Sequence, residues 1–193
     1  MKIDIIPGRI LGIFWTTASW VSSNNCIQIT NKERKLLEEV KKFLDIHNFK
    51  YTIYHSKKEQ KRDNYEYDYY RMKIYSDYIV DLLRNKYNWT GSKEHKRYYP
   101  TIDNKYQEIG FLKYYIKDQG TFDYRNTKWG EKKRYRIYGN WNYIDYLNSR
   151  ISNILGVNEN KPQKHNNSNL MMILYYQSKK DVNTILNFIE KGE

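Results

Sequence analysis

Residues Gly110–Phe122 read GFLKYYIKDQGTF. An aromatic, helix-like run halts at Asp118-Gln119-Gly120, and Thr121-Phe122 resumes at once with strand character, so the stretch predicts a helix that feeds directly into a strand. Gly8 to Trp15, near the other end of the chain, behaves in the same way. It is apolar all round, as a helix buried on every side would be, and it gives way at Thr16-Thr17-Ala18 to the strand-like Ser19-Trp20-Val21.

Outward from these two stretches the same order of elements recurs. Cys26 to Thr30 alternates Ile27 and Ile29 against Cys26, Gln28 and Thr30, which predicts a strand with one apolar face. Asn31 is the expected N-cap of a helix over Lys32 to His47, where Leu36, Leu37, Val40, Phe43 and Leu44 fall at helical spacing. Strands around Tyr51–His55 and Tyr69–Tyr75 and a helix over Asp77–Tyr87 complete the first pass. In the second pass, a helix at Tyr106–Lys117 precedes strands at Thr121–Arg125 and Lys133–Tyr138. A helix at Trp141–Leu155 follows, closed by Gly156, then the strand-like Leu170–Gln177 and a helix over Lys180–Lys191. Each pass is α-β-β-α-β-β-α. The polar, aperiodic segment Asn88–Asn104, which contains Pro100, reads as the linker. The expected organisation is therefore an N-terminal repeat over 1–87, a linker over 88–104 and a C-terminal repeat over 105–193.

Composition narrows the function. The 193 residues carry 34 Lys+Arg against 22 Asp+Glu, a formal net charge of +12, and 21 tyrosines. A basic, tyrosine-rich surface suits a polyanion, of which nucleic acid is the commonest, although the codon bias of an AT-rich genome would also inflate Lys, Asn, Ile and Tyr together. Cys26 is the one cysteine, which excludes a disulfide framework and a cysteine-based zinc site and points to a reducing compartment; the expected location is intracellular, cytoplasmic or nucleoid-associated, with an organelle as the alternative. His47, His55, His95 and His165 lack the close spacing of metal-binding pairs, so no metal is expected through them. No run is long enough to span a membrane, and Ile10–Trp15 is too short for the core of a secretory signal.

FLKYYIKDQGTF resembles the LAGLIDADG motif of homing endonucleases, in which a helix ends on an acid followed by glycine and a DNA-contacting strand begins at once. ILGIFWTTASW, Ile10–Trp20, resembles the first copy of that motif. CIQITNKERKLLEEVKKFL is similar to the family's second strand and following helix, and YYQSKKDVNTILNFI to its closing strand and helix. The set spans nearly the whole chain and resembles a single-chain, two-repeat member. The fold this implies is α+β: two pseudo-twofold-related α-β-β-α-β-β-α repeats forming a saddle of antiparallel sheets, in one monomer with internal symmetry. Two helices side by side on the pseudo-dyad need small residues where their backbones approach, and Gly12, Ala18 and Gly120 supply some of them. Tyr114 and Tyr115 are bulkier than the pattern usually has.

In active members of the family, the acid at the foot of each helix lies at the dyad, and the two carboxylates bind divalent metal. Thr17 and Gln119 hold those two places here, and neither is charged. Asp118 stands beside Gln119, but Gly120 fixes the register. The first half has no acid from Ile10 to Val21, the nearest being Asp4 and Glu33. The resemblance then implies no catalytic residue and no cofactor, with magnesium required only if divergent ligands keep an endonuclease active. By the parity of strands laid in successive major grooves, Ser19, Ser23, Gln28 and Thr30 face DNA in the first half. Thr121, Asp123, Arg125, Arg134, Arg136 and Tyr138 do so in the second, with Tyr135 and Ile137 turned to the helices. Lys57, Lys58, Lys61 and Arg62, and Lys93, Lys96 and Arg97, fall in expected turns and linker, where they would touch phosphate at the rim. The expected partner is double-stranded DNA, with no membrane. The expected function is sequence-specific DNA binding by a degenerate endonuclease, a transcription regulator being one form of it. The alternatives are an active metal-dependent homing endonuclease and an RNA-binding intron-splicing factor.

Overall fold

The computed structural model describes residues 3–60, 65–91, 98–128, 130–165 and 170–190, apart from the side chains of 58–60, 65 and 67. Helix α1, Gly8–Thr17, starts after Pro7 and ends where Ala18 turns extended, at φ −84° and ψ 147°, so strand β1, Ala18–Val21, begins with no intervening residue. A 3₁₀ turn at Ser22–Asn24 and a left-handed Asn25 lead into β2, Cys26–Asn31. Then follow α2, Arg34–Ile46, the hairpin of β3, Lys50–Gln60, and β4, Tyr65–Tyr75, and α3, Asp77–Asp81, which continues as a π-helical turn over Leu82–Lys86. The second half repeats the order. Helix α4, Lys105–Gln119, runs straight into β5, Gly120–Thr127, and β6, Gly130–Asn140, follows. Next come α5, Ile144–Leu155, the two-residue β7, Gln163–Lys164, then β8, Met171–Tyr176, and α6, Lys179–Glu190.

The strands form two four-stranded antiparallel sheets, β1-β2-β4-β3 and β5-β6-β8-β7, identical in order position for position. Even the caps correspond: Ser76 Oγ accepts from Ile79 N at the head of α3, and Ser178 Oγ accepts from Asp181 N at the head of α6. Strand lengths do not correspond. The long ribbon of the first sheet is β3–β4, at the edge remote from α1, whereas that of the second is β5–β6, which issues from the foot of α4.

Helix α1 lies on the first sheet and α4 on the second, and the two helices pack against each other. Leu11, Ile13, Phe14 and Trp15 are fully buried, which explains why the middle of α1 is apolar on every side, while Arg9 in its first turn reaches out to Glu39. The contact between α1 and α4 is closest at its glycines. A Cβ on Gly8 would stand 1.9 Å from the Gln107 carbonyl oxygen, one on Gly12 would stand 2.9 Å from the Tyr114 Cβ, and one on Gly110 3.4 Å from the Gly8 Cα. Gly8 meets Gly110 and Gly12 meets Tyr114 at one constant offset along the chain. Positions that are equivalent in the two repeats touch each other only on the axis that relates the repeats, so this line of contact is the pseudo-dyad. At its upper end Gln107 Nε2 donates to the Ile6 carbonyl at 2.6 Å and to the Tyr87 hydroxyl at 2.8 Å, tying the start of the first half to the second.

Several local expectations change. Asn31 is not the N-cap of α2; its Oδ1 accepts from Glu33 N at 2.8 Å, closing a turn one step before the helix begins. Gly120 does not serve the helix contact. It lies beneath Tyr135, where a Cβ would come within 2.3 Å of the hydroxyl. The helix contact uses Gly8 and Gly110 instead. The described parts of 88–104 pack: Trp89 is buried, Tyr98 O accepts from Trp15 Nε1 at 3.1 Å, and the Tyr99 ring stands edge-on to Phe111. Tyr99 also donates to Glu108 at 2.9 Å, and Glu108 is forked by Arg150.

Replacing Gly8 with Ala should lower the unfolding free energy by about 3 kcal/mol, because backbone must move to admit the methyl, whereas Gly110→Ala should cost about 1 kcal/mol. Urea denaturation of the two variants measures the difference, and equal losses would refute the line of contact.

Candidate nucleic-acid interface

On each sheet the residues facing away from the helices are set by register. In the second sheet Tyr135 and Ile137 are buried against the helices, and burial pushes the Tyr135 hydroxyl up to about 12. Their neighbours Arg134, Arg136 and Tyr138 lie on the opposite face. The pairings Thr121↔Arg136, Asp123↔Arg134 and Arg125↔Lys132 place Thr121, Asp123 and Arg125 on that face as well. Tyr175 of β8, opposite Arg136, joins them.

These side chains hold one another. Asp123 accepts from Arg134 Nε and Nη2 at 2.8 Å each, and Arg136 Nη2 lies 2.6 Å from its Oδ2. The Arg134 guanidinium lies 5.4 Å from the centre of the Tyr175 ring, and that of Arg136 lies 5.8 Å from Tyr138. Arg125 donates to Gln177 Oε1 at 3.1 Å. The hydrogen bond from Arg134, with the charges of both arginines, holds the Asp123 carboxyl below the usual carboxylate range.

In the first sheet Ser19 is paired with Gln28, Gln28 with Lys73, and Thr30 with Arg71, so Ser19, Gln28 and Thr30 share the outer face. Ser23 is not on a strand. It sits exposed in the turn between β1 and β2, within 3.2 Å of Asn24 Oδ1. The outer face also carries Arg71, Lys73 and, across from them on β3, Thr52 and Tyr54, none of which the strand reading of β1 and β2 had included. Lys73 Nζ lies 5.9 Å from the Tyr54 ring centre, and the Arg71 guanidinium 5.5 Å from that of Tyr69. Arg71 and Lys57 line an open cleft of about 670 Å³ beside the β2–α2 turn. Lys57 belongs to β3 and not to a turn, and pairs with Glu66 at 3.6 Å; Lys58 also falls in β3. Lys61, Arg62, Lys93, Lys96 and Arg97 lie outside the described residues.

At the dyad, Thr17 is the last residue of α1 and Gln119 the last of α4, and each is followed directly by a strand. The Thr17 hydroxyl donates to the Ile13 carbonyl of its own helix at 2.6 Å. The Gln119 amide donates to Asp118 Oδ2 at 2.6 Å, and the Tyr114 hydroxyl lies 3.4 Å from the other Asp118 oxygen. Asp118 lines a cleft of about 350 Å³ between α1, α2 and α4. Arg9 also lines it, forking Glu39 at 2.6 and 2.9 Å. Burial, reinforced by Asp118, pushes the Tyr114 hydroxyl up. Magnesium is held by hard anionic oxygens, and a hydroxyl bonded to its own helix beside a primary amide does not fit that ion. Among the described residues no three His, Cys, Asp or Glu side chains converge on one point, and no described helix is long and apolar enough to cross a membrane.

Comparison with known proteins agrees with this geometry. Residues 6–87 match the family model described as a LAGLIDADG-like domain. No curated protein matches in sequence. The chain superposes on the LAGLIDADG meganuclease I-CpaMI bound to uncleaved DNA with a TM-score of 0.61 and 13% identity, covering 97% of this chain and 85% of that one. It matches I-DmoI in complex with DNA and manganese at 0.59 and 16% identity, covering 96% and 97%. Full-length DUF199/WhiA from Thermatoga maritima matches at 0.57 and 11%, covering 95% of this chain and 54% of that one. At such identities the likeness is one of fold, and the fold is that of the LAGLIDADG homing endonucleases.

The state of Asp123 is measurable. Its folded-state pKa is depressed, so the stabilisation it contributes is present above the ordinary carboxylate range and is lost as pH falls through the lowered value. In a carboxyl-carbon NMR titration the Asp123 midpoint should lie below the ordinary value of an aspartate in an unfolded chain. It should rise toward that value when Arg134 and Arg136 are both replaced by Ala.

Proposed function

We propose that this chain, with its LAGLIDADG homing-endonuclease fold, is a sequence-specific double-stranded DNA-binding protein that does not cleave its target. The observation that carries the reading is the dyad. Thr17 and Gln119 stand at equivalent feet of α1 and α4, where the resemblance calls for two acids, and both side chains are engaged in bonds of their own. Asp118 does not replace them, since it is turned into the cleft with Tyr114 and Arg9, and its counterpart in the first repeat, Thr16, has no carboxylate.

Binding is supported by the outer faces of the sheets. A two-stranded antiparallel ribbon fits a major groove, and the exposed sets combine arginine, glutamine and threonine, which read base edges or hold phosphate. The formal charge of +12 supplies the electrostatic attraction. The solved structures of I-CpaMI and I-DmoI with DNA add the precedent of the same fold on a duplex. A transcription regulator is one way such a protein acts, and it would read DNA with its sheets.

The protein should bind its preferred duplex with no divalent metal present and leave both strands intact when magnesium or manganese is added, as electrophoretic shift and cleavage assays on one labelled duplex would show. Metal-dependent double-strand cleavage that Asp118→Asn abolishes would establish the active-endonuclease alternative. Thr17→Asp combined with Gln119→Asp should cost on the order of 1 kcal/mol of stability without metal, because two carboxylates would be crowded at the helix feet. Arg134→Ala with Arg136→Ala should weaken binding to the preferred duplex more than Lys57→Ala.

A further inference from the structure

Arginines on a DNA-facing surface divide into two kinds. One is a mobile cation that settles on phosphate; the other is a fixed planar fork that reads guanine O6 and N7. Arg134 and Arg136 have the marks of the second. Asp123 takes the Nε and Nη2 of Arg134 at 2.8 Å each and holds Arg136 Nη2 at 2.6 Å. Each guanidinium also lies against a tyrosine ring, Tyr175 or Tyr138. All three charged side chains are partly buried, at 26% exposure for Asp123, 21% for Arg134 and 24% for Arg136.

The chemistry of what is left over is informative. With Nε and Nη2 of Arg134 given to the carboxylate, its Nη1 end remains, and a guanidinium has five N–H donors in a rigid fork. Arg136 Nε is buried with no hydrogen-bond partner among the described residues, so this cluster already carries an unmet donor. Asp123 has both oxygens engaged by three donors, which leaves about one of its four lone-pair sites for any other partner. Its negative charge cancels one of the two positive charges beside it. A site built for phosphate would not surrender half of its charge, whereas a site built for base edges gains from side chains fixed before the DNA arrives.

Resting on the DNA-binding reading above, we infer that Asp123 is a specificity-determining positioning residue: it holds Arg134 and Arg136 as a preorganised pair of guanine readers and keeps them off the phosphates. A duplex bound to the second sheet therefore carries guanines opposite β6.

The test is selection from a randomised duplex library with the wild type, Asp123→Ala, Asp123→Asn and Arg134→Ala, followed by affinity measurements on the selected and a scrambled duplex over a range of salt. The wild type should require guanine at two nearby positions of one half-site. Asp123→Ala and the isosteric Asp123→Asn should both lose about tenfold of that preference at each position. They should also bind the scrambled duplex more tightly, with a log–log salt slope steeper by about one. Arg134→Ala should lose guanine at one position and make the slope shallower. A merely structural Asp123 would weaken both duplexes equally, and that outcome overturns the inference. So does a selected site with no guanine requirement, or one that the Asp123 variants leave intact. Failure of the wild type to enrich any duplex would overturn the DNA-binding reading as well, which separates the two claims.

Discussion

The close approach of α1 and α4 is the constraint on which the other features rest. Where Gly8 meets the Gln107 carbonyl the backbones touch with no side chain between them, and that distance fixes how near the two sheets can stand. Helices held this close cannot slide, because Gly12 accepts the Tyr114 side chain at one height only. Each helix then runs without a loop into the first strand of its sheet, so the position of β1 and β5 is inherited from the helix contact. The outer faces take their relative placement from a helix contact on the opposite side of the sheets. The same contact delivers Thr17 and Gln119 to equivalent points, since residues that follow a symmetric crossing by equal steps remain symmetric.

Much of this was legible in the chain itself. The two helix-to-strand junctions, the repeated order of elements and the outward parity of Thr121, Asp123, Arg134 and Arg136 follow from periodicity, because β6 alternates charged residues with Tyr135 and Ile137. The outer face of the first sheet was harder to read. Strand β4, YEYDYYRMKIY, places tyrosine on both faces, and an aromatic residue with a polar tip suits either side, so the contrast between faces fades. The alternation Arg71-Met72-Lys73-Ile74 was the available signal for Arg71 and Lys73. Gly8 lies outside the motif that marks the helix, and only its spacing of four from Gly12, one small residue per helical turn, marks it as part of the contact. No pattern in sequence announces that Asp123 would be shared by two arginines. That depends on the β5–β6 register, which sets Asp123 opposite Arg134 and within reach of Arg136.

The polar groups of the interior fall into two sets with different duties. Gln107, Tyr87 and Ile6 at the top of the dyad, with Glu108, Arg150 and Tyr99 beside them, join segments far apart in sequence through direct hydrogen bonds. They act as structural ties, and buried polar groups of this sort are costly to break because the partner left behind stays desolvated. The groups at the other end of the same helices, Thr17, Gln119, Asp118 and Tyr114, form short local bonds within their own helix or to the next residue. Of these only the Tyr114 ring reaches across the helix contact, lying 5.6 Å from the Arg9 guanidinium of α1. Changes at Thr17, Gln119 or Asp118 therefore disturb fewer long-range bonds than changes at Gln107 or Glu108.

The unequal ribbons have a consequence for orientation. In the first sheet the long hairpin, β3–β4, stands at the outer edge, while in the second the long hairpin, β5–β6, springs from the axis. Half a turn about the pseudo-dyad restores the helices and the strand order but exchanges a far-reaching arm for a near one. The molecule consequently has a head and a tail, although its core is built as if it had neither. A symmetric dimer presents the same arm on both sides of its axis, whereas this surface presents a different one on each, so its left and right are not interchangeable.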